Sequence, residues 1–388
     1  MARLRRQRFG SGRSCLAFSH NYPMSFIKTF ITNLLQRSLR TVLTLGLCAF
    51  LSISLSASLL PAGNAITDGR AILRYALPID SPDIRKVQAS LEDISNQLRS
   101  KRWQKISGDI KQASSLLQSR SANILKTVPE KNQAAATSLL GEIAASVTDM
   151  TAAAEAQDRQ KIQVKKAAVL DQIGSLEELM LDGFPYEVPA EYKSLPQLKG
   201  RATVAMTTSK GDVKIVVDGY SAPVTAGNFV DLVQRGFYTK LPFTRAEDSY
   251  VLQVGDPPGK EVGFIDPKTK KYRSIPLEVL AKGDPKPTYG ITLEDAGRYN
   301  DEPVLPFASF GTLAMARPET EPDGASSQFF FFLFEPELTP AGRNLLDGRY
   351  AVFGYVVEGQ DVLDKMTADD SVISAKVTQG LENLIKPG

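Results

Sequence analysis

The spacing of the apolar residues changes near residue 200, and this change limits the chain to a fold with two different parts. Between Ser81 and Met180 apolar residues recur every three or four positions, which is typical of amphipathic helices. From Arg201 onward they form short alternating or continuous runs, which are typical of strands. A chain of 388 residues is also long enough for two or three domains, so we predict a multi-domain protein, helical first and β-rich second.

Four apolar stripes predict the architecture of the helical part. Ser81 and Pro82 give a favoured helix start, and Pro129 and Gly183 are suited to helix ends. Four amphipathic helices with short connections favour an antiparallel four-helix bundle over residues 66–182. Helical spacing alone predicts that the stripes form a core, so we assign them no chemistry. They consist of Ile84, Val87, Leu91, Ile94 and Leu98; Trp103, Ile106, Ile110, Leu117 and Ile124; Leu139, Ile143, Val147 and Met150; and Ile162, Val169, Ile173, Leu176 and Met180.

The beginning of the chain is typical of an exported protein. Residues 42–60 carry no charge, follow two arginines and precede Gly63 and Ala65, whose small side chains suit a signal peptidase. We therefore predict a signal or transit segment over residues 1–65, with cleavage after Ala65. Two alternatives stay open: an uncleaved membrane anchor, because about 18 apolar residues can span a bilayer, and a start at Met24.

Removal of this segment would take away both cysteines and the only histidine, Cys15, Cys48 and His20. The mature protein would then lack the side chains for Ser-His-Asp or Cys-His catalysis and for ordinary zinc sites, so we expect no metal and no cofactor. The segment also contains eight basic and no acidic residues, which leaves 38 basic and 43 acidic residues, a net charge of −5. Because nucleic acids bind concentrated positive charge, a nucleic-acid partner is disfavoured.

The second part is joined to the first by a connector. Residues 183–200 contain three prolines and three aromatic residues, which predicts an ordered, partly extended segment docked on a domain. The domain that follows, residues 201–388, starts with a hairpin pattern over 202–218. Pro223 opens a helix, and residues 327–334 form an apolar run of strand length, which fits a strand buried on both faces.

Six sequence blocks occur in order in this second part: APVTAGNF at 222–229, FTR at 243–245, QVGD at 253–256, MAR at 315–317, SSQFF at 326–330 and LDGRYAVFG at 346–354. Together they resemble the cyclophilin family of peptidyl-prolyl isomerases over about residues 201–380. The arrangement of signal, helical bundle and cyclophilin domain resembles the large thylakoid-lumen cyclophilin of plants and cyanobacteria, whose bundle is similar to the extrinsic PsbQ subunit of photosystem II. The resemblance implies a closed antiparallel β-barrel with flanking helices.

The same resemblance implies which residues form the site. Arg245 matches the family's catalytic arginine, and Gln253 is expected to hold its guanidinium group in place. The substrate-binding set that the resemblance implies consists of an apolar proline pocket, Tyr250, Met315, Phe330 and Leu346; an adjoining peptide groove, Val251, Ala316, Arg317 and Gln328; and a rim, Leu345 and Tyr350.

The chemistry fits a mature chain that lacks histidine. An X-Pro bond isomerises slowly because amide resonance sets a barrier of about 18–20 kcal/mol, and a catalyst must stabilise the twisted state in which resonance is lost. A fixed cation beside an apolar pocket is sufficient, and no nucleophile or proton shuttle is needed. An alternative for Arg245 is a surface salt bridge with Glu247 or Asp248. Phe330 and Met315 would be core residues by default.

Several positions depart from the family pattern. Leu345 stands at the usual position of a tryptophan, Tyr350 replaces a histidine, and Arg317 replaces a small polar residue of the groove. The central connection from Pro257 to Phe310 has 54 residues, which is longer than is usual for the family. Segments of this length are commonly functional, so we predict a lid or a docking surface.

Two functions stay open on this basis. The first is a peptidyl-prolyl cis-trans isomerase that acts on proline-containing client proteins after export, in the thylakoid lumen or, alternatively, the periplasm. The second is a weakly active or inactive binding protein, an assembly chaperone for a membrane complex such as photosystem II. In both cases we expect polypeptide partners, with photosystem II subunits among the candidates, and at most peripheral association with a membrane. A purely structural subunit is a third, weaker alternative.

Overall fold

The computed structural model describes residues 66–334 and 344–386. The predicted signal segment over residues 1–65, with its cleavage point after Ala65, lies outside the described residues. Within the two described ranges, no helix is both long enough and apolar enough to cross a membrane.

The helical part consists of a short helix and four long ones: α1 (Gly69–Ala76), α2 (Pro82–Arg99), α3 (Trp103–Lys126), α4 (Gln133–Glu155) and α5 (Arg159–Leu179). Pro82 begins α2, and Asp158 begins α5 by accepting a hydrogen bond from the amide of Lys161 at 3.0 Å. The long helices pack their apolar stripes into one core. Every residue of the predicted stripes is buried except Trp103 and Leu139, which are half-buried.

The β-rich part contains an eight-stranded antiparallel sheet in the order β11-β2-β3-β10-β8-β9-β5-β4, together with two separate two-stranded pairs, β1 with β12 and β6 with β7. The predicted helical first part and antiparallel β-rich second part are therefore confirmed. The strands are β1 (Gln197–Leu198), β2 (Arg201–Thr208), β3 (Gly211–Asp218), β4 (Phe243–Glu247), β5 (Val251–Val254), β6 (Glu278–Val279), β7 (Thr288–Tyr289), β8 (Thr312–Met315), β9 (Phe329–Phe332), β10 (Val352–Glu358), β11 (Val372–Gln379) and β12 (Leu384–Ile385).

The large sheet is curled, so that the starts of its two outer strands meet. The amide of Phe243 donates to the carbonyl of Asp370 at 3.0 Å, and the amide of Val372 donates to the carbonyl of Leu241 at 2.9 Å. A single further bridge pairs Pro242 with Ser371. These contacts join β4 and β11 at one end, and a barrel closed along both strands, as we predicted, is not confirmed.

The sheet is covered on both faces. Its concave face, which carries the side chains of Phe329 and Phe331, packs on helix α6 (Pro223–Gln234). Its outer face carries Phe330 and Phe332, which pack in a separate cluster with the apolar side of α1. This explains why all four phenylalanines of β9 are buried, as the continuous apolar run predicted.

The connector and the central segment are ordered. Tyr186 donates its hydroxyl proton to the carbonyl of Tyr220 at 2.8 Å, and the ring of Tyr192 stacks on Tyr289 with 5.4 Å between centroids. The expected docking of the connector is thus confirmed. The segment from Pro257 to Phe310 contains the β6–β7 pair, and Arg273 ties it to α6 through an ion pair of 2.7 Å with Asp231. A short helix, α7 (Gln360–Leu363), follows β10.

Candidate active site

The outer face of the sheet holds a cavity of about 390 Å³. Strand pairing places its central residues: Arg245 lies opposite Gln253 across β4 and β5, and Gln253 lies opposite Phe330 across β5 and β9. Residues that are directly opposite in antiparallel strands project from the same face, so these three side chains form one row. The lining consists of Arg245, Tyr250, Val251, Gln253, Val262, Tyr272, Ala316, Arg317, Pro318, Gly324, Ser326, Gln328, Phe330, Leu346 and Tyr350.

Ten of the residues that we expected at the site line this cavity. They are Arg245, Gln253, Tyr250, Val251, Ala316, Arg317, Gln328, Phe330, Leu346 and Tyr350. They come from four separate stretches of the chain, which the sheet and the turn before β10 bring together. The cavity has apolar walls beside two guanidinium groups, as binding of a proline ring next to a cation requires.

Met315 does not line the cavity, and its expected place in the proline pocket is wrong. Strand β8 alternates, so Ala314 joins the outer cluster around Phe330, while Met315 joins the core on the opposite face with only 1% of its surface exposed. It is a core residue, which was the default interpretation.

Leu345, which we expected at the rim, is also absent from the lining. Its side chain is 87% exposed. Asp347 holds the turn by accepting hydrogen bonds from the amides of Asn344 at 2.9 Å and Phe307 at 2.8 Å. The turn directs Leu346 to the cavity and Leu345 to solvent. Burial raises the pKa of Asp347 above its ordinary value, although these two amide bonds act in the opposite direction.

Arg245 lies at the cavity and also forms a surface salt bridge, the two positions that we considered for it. Its guanidinium lines the cavity, and it also forms an ion pair with Glu247, with distances of 2.7 Å from Nε and 2.6 Å from Nη2 to Oε1. The side chains of both residues are about half exposed. A carboxylate that lies this close offsets much of the positive charge that the arginine presents to the cavity.

Gln253 does not hold Arg245 as we expected. Among the described residues, its side-chain amide donates instead to Oε1 of Gln328 at 2.7 Å, and Gln328 in turn donates to the carbonyl of Val262 at 2.8 Å. The two glutamines therefore link the floor of the cavity to the central segment. Glu247, which lies two residues from Arg245 along the same strand and on the same face, is instead the residue that accepts from Nε and Nη2 of Arg245.

The rim is built around Tyr350. The guanidinium carbon of Arg317 lies 5.2 Å from the centroid of the Tyr350 ring, in a cation–π arrangement. The same ring meets Phe330 edge to face, with 5.6 Å between centroids. Arg317, Tyr350 and Phe330 thus form a continuous wall from the rim to the floor.

The central segment also contributes to the lining, above all through Val262 and Tyr272, which were not expected from the sequence. Tyr272 pairs with Ile265, and its ring lies so close to Gly263 that an added Cβ there would come within 2.7 Å of it. Glycine is therefore required at that position for close approach. The length of the segment was the only signal, because no family block covers these residues.

Comparison with known proteins agrees with this organisation. Residues 68–181 match a family model described as the PsbQ-like domain of CYP38-like peptidyl-prolyl cis-trans isomerases, and residues 203–381 match the cyclophilin-type peptidyl-prolyl cis-trans isomerases. A Synechocystis sp. protein designated sll0408, whose name gives it as a thylakoid lumen peptidyl-prolyl cis-trans isomerase, is 57% identical over 326 residues, covering 84% of this chain and 86% of that protein. The chloroplastic peptidyl-prolyl cis-trans isomerase CYP38 of Arabidopsis thaliana is 46% identical over 341 residues, covering 85% of this chain and 78% of that protein.

These identities extend over both parts of the chain and are not confined to the cyclophilin domain. The two family matches also follow the order in which the helical and β-rich parts occur in the fold. The chain therefore belongs to the cyclophilin-type peptidyl-prolyl cis-trans isomerases, in the group that carries a PsbQ-like helical domain before the cyclophilin domain.

Proposed function

We propose that this isomerase acts on proline-containing segments of exported polypeptides, and that Arg245 stabilises the twisted X-Pro bond. The observation that carries the proposal is the shared cavity: the guanidinium of Arg245 and the apolar side chains of Tyr250, Phe330 and Leu346 line one space. A proline ring held against the apolar side chains would place its bond next to the cation. Gln253, Val251, Ala316, Arg317 and Gln328 are assigned to the peptide groove, and Tyr350 to the rim.

Hydrogen bonding to the twisted state supplies the catalysis. When the bond twists, the proline nitrogen regains a lone pair, which can accept a hydrogen bond that the planar amide cannot accept. A donor that interacts more strongly with the twisted state lowers the barrier. Arginine has five N–H donors, and Glu247 occupies only Nε and Nη2. Donors of Arg245 therefore remain for the substrate.

We place this activity in the thylakoid lumen. The support is the naming of the two relatives, one for the thylakoid lumen and one for the chloroplast. The export pattern at the start of the sequence agrees with this location. The clients would then be lumenal polypeptides or lumenal segments of membrane proteins.

A second candidate is a weakly active binding protein that assists assembly of a membrane complex such as photosystem II. The observation that favours it is the ion pair between Arg245 and Glu247, because a neutralised cation stabilises the twisted bond less strongly. Leu345, which is exposed next to Leu346 of the lining, offers a contact for a partner in place of a pocket wall. A cavity that binds proline segments without fast isomerisation would serve this role.

The two candidates are separated by measuring isomerisation of an X-Pro peptide by NMR exchange, with the chain from Ile66 to Gly388. We expect acceleration by the native chain and a loss of at least about tenfold in Arg245→Ala. Arg349→Ala is the matched control, since Arg349 is paired with Glu294 and does not line the cavity. Binding of the peptide without acceleration would support the assembly role instead.

A further inference from the structure

Arg317 places a positive charge in the cavity wall that no carboxylate among the described residues neutralises. Its Nε and Nη2 atoms donate to the carbonyl of Arg349, at 3.1 and 2.8 Å. Its Nη1 atom donates to the carbonyls of Pro318 and Glu319, both at 2.9 Å. Within the described residues, the charge of Arg317 is thus offset by backbone carbonyls and by the Tyr350 ring, with no carboxylate at ion-pair distance, whereas that of Arg245 is offset by a carboxylate at 2.6 Å.

This guanidinium is also held in one position. Four hydrogen bonds fix its plane, and the ring of Tyr350 lies 5.2 Å from its central carbon. A side chain that is already ordered loses little conformational freedom when it binds a ligand. These bonds use four of the five N–H donors of Arg317, which leaves one on Nη2 for a ligand.

The rest of the lining does not cancel this charge. Two arginines and no acidic residue are among the described residues that line the cavity. Glu319, Glu321 and Asp323 belong to the turn between Pro318 and Gly324, but none of the three lines the cavity. Because water screens charges less well inside a partly enclosed space, the cavity favours an acidic over a basic ligand group.

We propose that Arg317 selects clients that carry an acidic side chain within a few residues of the proline. The proposal rests on the proposed function, in which the cavity receives an X-Pro segment. With the proline ring against Phe330, a neighbouring carboxylate reaches Arg317 along the wall formed by Tyr350. The remaining N–H of Arg317 then donates a charge-assisted hydrogen bond to that carboxylate. A lysine at the same place is repelled.

The test uses peptides with a single X-Pro bond and Glu, Gln or Lys placed in turn at three positions on either side of it. Dissociation constants are measured by fluorescence anisotropy at low ionic strength with the chain from Ile66 to Gly388. We expect one position at which Glu binds at least about threefold tighter than Gln. This ratio should fall as salt is added, and it should disappear in Arg317→Gln.

Arg349→Gln is the matched control. It removes the same charge from the residue whose carbonyl accepts from Arg317, but its own side chain is paired with Glu294 outside the lining. The control should keep the preference for Glu. The proposal is overturned if no position shows the preference, if Arg317→Gln keeps it, or if Arg349→Gln loses it equally.

Two further measurements test the proposal: the salt dependence of binding by the native chain, and the isomerisation rate of the same peptides. If Arg317→Gln fails to fold, the native chain alone decides, because a Glu-to-Gln ratio that does not change with salt overturns the proposal. Isomerisation of the same peptides is followed separately by NMR exchange. If Glu peptides bind more tightly but isomerisation is not accelerated, the proposal on Arg317 stands and the proposed catalysis by Arg245 is wrong. If isomerisation is accelerated but Glu peptides do not bind more tightly, the proposed catalysis stands and the proposal on Arg317 is wrong.

Discussion

Glu278 accepts a hydrogen bond from the backbone amide of Thr225 at 2.6 Å, and both residues are buried. The contact docks strand β6 of the central segment on the first turn of helix α6, where unpaired amides favour a negative charge. Burial nevertheless dominates, and it raises the pKa of Glu278 from its ordinary value of 4.5 to about 7. The hydroxyl of Tyr289, its strand partner, is buried beside it and interacts with the carboxyl group, which, like the Thr225 amide, acts against the effect of burial on the pKa.

This carboxyl makes stability depend on pH. Its folded pKa of about 7 lies above the ordinary 4.5, so the folded state binds the proton more tightly. The stability that this carboxyl contributes is fully present below about pH 4.5 and is lost as the pH rises through 7, by up to about 3 kcal/mol. The Glu278→Gln variant should not show this dependence of the free energy of unfolding on pH, since glutamine keeps an acceptor for the Thr225 amide but does not titrate.

The measurement is urea unfolding of both proteins between pH 4.5 and 8. The difference between the two profiles is the informative quantity, because burial also raises the pKa of Glu177 to about 7 and gives both proteins a slope of the same sign. Parallel profiles would contradict the prediction.

Glu247→Gln should raise the isomerase activity. The glutamine oxygen can still accept the hydrogen bonds of Arg245, but the negative charge that offsets the guanidinium is gone. We expect kcat/KM to increase about threefold, as for the loss of a half-exposed ion pair beside the reacting bond. Glu294→Gln, which breaks the ion pair with Arg349 outside the lining, should leave the activity unchanged. A decrease as large as that of Arg245→Ala would show that Glu247 positions the arginine.

Substitution of two helical glycines by alanine should change stability in opposite directions. In Gly69→Ala the new Cβ would lie 2.7 Å from Cβ of Tyr355, which is fully buried, so overpacking should destabilise the protein by about 1–3 kcal/mol. In Gly108→Ala the new Cβ meets no atom within 4 Å, so the better helix propensity should stabilise it by up to about 1 kcal/mol. Urea unfolding measures both changes. Stabilisation by Gly69→Ala would mean that α1 is not held against the sheet.

The adjacent residues Leu345 and Leu346 should differ in their effect on activity. Leu346 lines the cavity, so Leu346→Ala should lower kcat/KM by about tenfold through the loss of apolar contact with the proline ring. Leu345 is 87% exposed, and Leu345→Ala should change kcat/KM by less than about twofold. Steady-state kinetics with one X-Pro peptide compare the two variants. Equal losses would place Leu345 against the substrate.

Much of the fold could be predicted because the spacing of apolar residues along the chain indicates which side chains are buried. The stripe from Ile84 to Leu98 became the buried side of α2, and the continuous run around Phe329 became a strand covered on both faces. Helix α1 was not predicted, since its eight residues are too few to show a clear period. It forms because the outer face of the sheet gives Ile72 and Leu73 an apolar surface to cover.

The site residues were predicted from the sequence blocks, and the errors in that prediction arise from what a block does not show. A block gives the order of residues but not the face on which each one lies, so Met315 was placed in the pocket while the pleat of β8 turns it into the core. The resemblance implies that Gln253 holds Arg245, but Arg245 pairs with Glu247 two residues along its own strand. Gln253 pairs with Gln328, which only the pairing of β5 with β9 brings within reach. Val262 and Tyr272 come from a segment that no block covers.

The sequence alone determined the order of the helical and β-rich parts, the identity of the family and most side chains of the cavity. The spacing of apolar residues and the short sequence blocks can both be read from residues that are close together along the chain. Only the tertiary structure decided which cation is neutralised. Arg245 and Arg317 look alike in the sequence, but Arg245 lies beside Glu247, whereas the hydrogen bonds that Arg317 makes within residues 66–334 and 344–386 all go to carbonyls. The reason is physical: the charge that a side chain presents depends on distances of a few ångströms, and folding sets those distances.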